Sequence, residues 1–173
     1  KLIQTQIFDK SCATSGCHAS EQDASFKQHG LILTSNVSYD NLFNKLPKNS
    51  AAKTDSLRLI TPGNVAKSFL FTKINCSAAS LLSGKQYGNP MPLGANGLSI
   101  GEIDFIRKWI ESGAPRSGGS VDASLITNSV PLCGSTFGST FTALEPPKAA
   151  DGIQLHLEPF EVGLSSLFFG IIV

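Results

Sequence analysis

Two cysteines and a histidine fall together near the start of the chain, in Cys12-Ala-Thr-Ser-Gly-Cys17-His18. A cluster this tight limits the local fold, because the four residues between the thiols must loop outward for both sulfurs and the imidazole to face one object. Gly16 sits where such a loop needs backbone freedom. The other two cysteines, Cys76 and Cys133, are isolated. This usage allows one covalent site at the cluster and a disulfide between Cys76 and Cys133, a bond that persists in oxidising compartments.

Three chemistries can use the cluster. As a lengthened Cys-x-x-Cys-His signature, it offers two thiols to the vinyl groups of a haem and a histidine directly beneath the iron. Alternatively, Cys12 and Cys17 close a small disulfide loop and His18 is incidental. A zinc site would need two further ligands, and the remaining candidates are scattered. The haem reading also asks for a second axial ligand. Met91, the only methionine, lies in Gly88-Asn-Pro-Met-Pro-Leu-Gly, where Pro90 and Pro92 restrict the backbone and lower the entropic cost of holding a thioether in place. Its alternative role is core filling.

Composition narrows the class. Hydrophobic residues make up 41% and charged residues 16%, so neither charge-driven disorder nor life in a bilayer is expected. With 14 basic and 13 acidic residues the formal charge is +1, and no basic run marks a nucleic-acid or anionic-lipid footprint. Low charge, 16 glycines and abundant Ser and Thr fit a protein exported to the periplasm or outside the cell, and because Lys1 opens into an amphipathic segment instead of an apolar one, the chain is expected to be already processed.

Periodicity predicts a short helix over residues 2–8, a second near Tyr39–Lys45, and a third from Ser68 through Ile74. Residues 47–64 read as loop, closing on a Pro62-Gly63 turn. The clearest element follows Ser99, where Glu102 three residues later completes a capping-box pattern. Ile103, Ile106 and Ile110 then share one face beside Phe105 and Trp109, and Gly113 ends the helix. Beyond Arg116-Ser-Gly-Gly-Ser the helical period is lost, which sets a domain boundary near residue 117 and leaves residues 118–173 as a linker and β-rich tail or partial second domain.

In order and spacing, a series of segments resembles the planctomycete-type cytochrome c domain family over residues 3–115. They are Ile7-Phe8, the Cys12–His18 motif, Gly30-Leu31-x-Leu33, Asn41-Leu42, Pro62-Gly63-Asn64 with Ser68-x-Leu70, Lys73-Ile74, Met91-Pro92, Leu98-Ser99-x-x-Glu102-Ile103 and Trp109-Ile110-x-x-Gly113-Ala114-Pro115. The resemblance implies an all-α class I cytochrome c-like domain over residues 1–117. One haem c would be attached at Cys12 and Cys17, with His18 and Met91 as axial ligands of the iron. The longer cysteine spacing departs from the commonest form of the motif. A six-coordinate iron implies a carrier of electrons between redox proteins and not an enzyme. The competing readings are a haem-based sensor or peroxidase-like enzyme with a labile Met91, and an extracellular structural or assembly protein.

Other candidates have weaker grounds. His29 is an alternative iron ligand, but its polar loop suggests a surface position. His156 alternates with Leu155 and Leu157 in an expected strand and would face solvent. Residues 143–162 resemble the opening of a copper type II monooxygenase-like domain, but without visible copper ligands. The apolar end, 164–173, is too short to span a bilayer and long enough to pair as a strand. Strand addition through residues 121–173, onto the same chain or a second copy, is the expected route to a homo-oligomer or filament.

Overall fold

The computed structural model describes residues 2–75, 87–93 and 97–132, together with the backbone of residues 157–161 and 167–171. The chain divides into two compact units, Lys1–Thr136 and Phe137–Val173. The first unit therefore runs past the boundary expected near residue 117. Cys76, Cys133 and His156 lie outside the described residues.

A π-helix, Ile3–Cys12, opens the first unit and buries Ile7 and Phe8. It is longer than the helix predicted over residues 2–8 and delivers Cys12 at its last position. The wider winding continues to the end, where the Ala13 amide donates to Phe8 O at 2.7 Å, five residues back. Four short helices follow: α1 (Phe26–His29), α2 (Ser38–Leu42), α3 (Ser50–Thr54) and α4 (Phe69–Ile74). α2 ends before the predicted Lys45, because Phe43 is extended and Asn44 turns into the left-handed region at φ 55°. α3 falls in the stretch read as loop, and the Asn49 side chain caps it by accepting from the Ala52 amide at 2.8 Å.

α5 (Ile100–Glu111) is the longest α-helix among the described residues, and its capping box is complete. The Ser99 hydroxyl accepts from the Glu102 amide at 3.1 Å, and Glu102 Oε2 accepts from the Ser99 amide at 2.8 Å. Its apolar face packs Ile103, Ile106 and Ile110 into a core shared with Ile7, Phe8, Leu33, Leu42, Ile60, Leu70, Ile74 and Leu98. Cys12, Ala13 and Leu31 pack at the edge of this core, which ties the cysteine loop to it.

Residues 121–132, expected as β-rich tail, instead form a strap on the start of α5. The strap contains a 3₁₀ turn, Ala123–Thr127. Ile100 N–H donates to Val130 O at 2.8 Å, Gly101 N–H to Asn128 O at 3.1 Å, and Leu132 N–H to Leu98 O at 3.1 Å. With the capping box, every amide from Ser99 to Glu102 has an acceptor, which satisfies the four donors a helix start leaves open.

In the second unit, β1 (Leu157–Glu161) and β2 (Leu167–Ile171) form an antiparallel hairpin in which Leu157 pairs with Ile171 and Glu161 with Leu167. β2 lies within the apolar end that was expected to pair as a strand. Among the described residues, no helix is long and apolar enough to cross a membrane.

Candidate functional site

The π-helix sets the cysteine loop in place. After Cys12 the chain turns back, with Cys17 N–H donating to Thr14 O at 3.0 Å and His18 N–H to Cys12 O at 3.2 Å. Gly16 takes φ 82°, the left-handed geometry that the extra residues demand. The loop is clasped from outside by the Asp23 carboxylate, which accepts from the amides of Gly16 (2.9 Å), Ser20 (2.9 Å) and Ala19 (3.2 Å).

These amides, first among them that of Gly16, hold the Asp23 carboxyl below its ordinary value of 3.8. A carboxylate with a lowered folded pKa adds stability that is fully present above its unfolded pKa and is lost as the pH falls through the folded one. Asp23→Asn is therefore expected to destabilise the fold at neutral pH, and the gap to the wild type should close as the pH falls below about 4. Urea denaturation at several pH values tests this, and a pH-independent gap would contradict it.

The two thiols differ. Neither is in a disulfide, Cys17 is exposed, and Cys12 is partly covered. Burial, with Glu102 and Cys17 adding repulsion, pushes the Cys12 thiol up to about 12. Only the thiolate is nucleophilic, so in the unmodified chain iodoacetamide at pH 8 should alkylate Cys17 at least about tenfold faster than Cys12. Peptide mass mapping over time measures the ratio. Equal rates would mean that the cysteine loop is open before any group is attached.

His18 is oriented by the backbone. Its Nδ1 lies 3.0 Å from Leu31 O, and because a carbonyl only accepts, Nδ1 carries a proton, which makes Nε2 the nitrogen with the lone pair in the neutral ring. Leu33 N–H donates to His18 O at 2.9 Å, anchoring the segment on the other side. His29 keeps part of its surface exposed but is tied down. It is half-buried, its ring centroid lies 4.1 Å from that of His18, and both its nitrogens are engaged. Burial and then the His18 ring keep its pKa below the ordinary imidazole value. An imidazole with both nitrogens occupied is a poor candidate for an iron ligand.

Met91 is held by its backbone. Its amide donates to Lys73 O at 2.7 Å, at the end of α4. The Lys73 ammonium donates to Tyr87 O at 3.0 Å and also to Asn89 O, so one lysine gathers three points of the 87–91 loop. The Met91–Pro92 peptide is cis. Tyr87 is buried against Phe69, Ala52 and Leu57, and its hydroxyl donates to Asp55. The sequence offered no sign of Lys73 or Asp23 as loop organisers, because their role depends on backbone atoms brought near by the fold.

No protein-family model, curated protein or solved structure matches the chain. Among the described residues, no group of three His, Cys, Asp or Glu side chains is placed to hold a metal ion.

Proposed function

We propose that this chain is an exported single-haem c-type cytochrome that carries electrons between redox proteins. The observation that carries the reading is the hydrogen bond from His18 Nδ1 to Leu31 O at 3.0 Å. Metal-ligating histidines commonly donate their second ring nitrogen to a carbonyl or carboxylate, which fixes the tautomer and raises ligand basicity. Here it leaves Nε2 as the donor atom, directly after a thiol and within a loop already clasped by Asp23.

The donor set fits a covalently held haem c. Cys12 and Cys17 are free thiols for two thioethers, His18 is an imidazole with one open nitrogen, and Met91 is a thioether on a loop tied to α4. Bound there, haem supplies a one-electron Fe(III)/Fe(II) couple. The chain's part is to hold and bury. His18 is kept in one tautomer and orientation, the loop bearing Met91 is restrained by Lys73, and the apolar core beside Cys12 excludes water and lowers the local dielectric.

Intact mass and a pyridine haemochrome spectrum test the proposal. The protein from an oxidising, haem-attaching host should exceed the polypeptide mass by one haem and give the spectrum of two thioethers. A bare chain with Cys12 and Cys17 joined in a disulfide would overturn it.

A further inference from the structure

Around His18 the hydrogen bonds close into a circuit. His18 Nδ1 donates to Leu31 O at 3.0 Å, and the Leu31 amide donates to His29 Nδ1 at 3.0 Å. His29 Nε2 lies 3.2 Å from Cys17 O, the carbonyl that joins Cys17 to His18. Both tautomers follow without choice. A backbone amide only donates, so His29 Nδ1 is unprotonated and its Nε2 carries the hydrogen. That hydrogen points to Cys17 O, with the Ser25 hydroxyl also within reach at 3.1 Å. Ser25 in turn donates to Gly16 O at 2.9 Å, extending the circuit into the cysteine loop.

We propose that His29 is a positioning residue that fixes the orientation and tautomer of His18 by holding both ends of its support, the Leu31 backbone and the Cys17 carbonyl. Without His29, Leu31 loses the acceptor for its amide, and among the described residues Leu31 O is the only acceptor for His18 Nδ1. The His29 ring, tilted against that of His18 with centroids 4.1 Å apart, also limits rotation of His18 about its side-chain bonds. Orientation matters because the supporting hydrogen bond of a ligating histidine sets which nitrogen is free and how basic it is. The inference rests on the haem reading for its purpose.

The test uses the haem-loaded full chain in its reduced, diamagnetic state and reads hydrogen exchange at His18 Nδ1 by NMR, with α5 core amides as an internal control. In wild type the Nδ1 proton should be protected. His29→Phe fills the space but removes both hydrogen bonds, and it should speed exchange at least about tenfold while Ile106 stays protected. His29→Asn places an amide oxygen where Nδ1 was and should restore protection, whereas His29→Gln cannot accept there and should not. If the phenylalanine variant fails to fold, the comparison of asparagine with glutamine decides alone. Equal exchange in wild type and His29→Phe, or in the asparagine and glutamine variants, overturns the proposal while leaving the haem reading intact. A wild-type chain that carries no haem overturns both.

Discussion

On the haem reading proposed above, His18→Ala is expected to leave haem attached through Cys12 and Cys17 while abolishing the low-spin spectrum, since the thioethers and the iron ligand would be separate bonds. Added imidazole should restore it, because the vacated space matches the lost ring. On the same reading Met91→Ala would remove the second axial ligand, and the reduction potential would fall as the thioether is replaced by water or another donor. Axial ligands set haem potentials over a range of about 0.8 V, so the shift should be a sizeable part of that range. Optical spectra and redox titration measure both. An unchanged low-spin spectrum in the Met91 variant would show that another side chain binds the iron.

The largest stability effect is expected at Gly101. A Cβ built there would lie 1.9 Å from Leu125 O and 2.8 Å from Asn128 O, both backbone atoms. Neither can step aside by rotating a side chain, so the whole 123–128 segment would have to move. Gly101→Ala would ordinarily favour a helix, by up to about 1 kcal/mol. The clash outweighs this, since overpacking costs about 1–3 kcal/mol and more when backbone must shift. The lost acceptors for Ile100 and Gly101 add about 1 kcal/mol each. Net destabilisation of about 2–4 kcal/mol in urea denaturation is therefore expected, with new proteolytic cleavage between residues 117 and 132. A variant as stable as the wild type would mean that the strap does not press on α5.

Features read directly from the sequence were those set by near neighbours in the chain. The Ser99/Glu102 capping box is complete, Ile103, Ile106 and Ile110 are buried on one face, and Gly16 has a positive φ. Each depends on residues at most a few positions apart. The strap was not legible, because its bonds join backbone carbonyls of residues 128–130 to amides of residues 100–101 and carry no side-chain signature. The wide winding of the first helix also escaped notice, since Ile3, Ile7 and Phe8 suit either helix. α3 could have been found from Asn49 followed by Ser50-Ala-Ala, a cap and good helix formers, but the surrounding polar residues hid it. At the candidate site the motif named Cys12, Cys17 and His18. The roles of Asp23, His29 and Lys73 needed the fold, because each acts on backbone groups of residues that the sequence only lists in line.

The strap has a mechanical consequence. Its hydrogen bonds to the start of α5 run in the order Leu132 to Leu98, Val130 to Ile100 and Asn128 to Gly101. A pull on residue 132 directed away from α5 would load the outermost bond first and the others in turn, peeling them one at a time instead of shearing them together. The helix start would lose two acceptors before the load reached Ile103 or Ile106. Leu132, which packs against the core, is where such a load would first reach the interior.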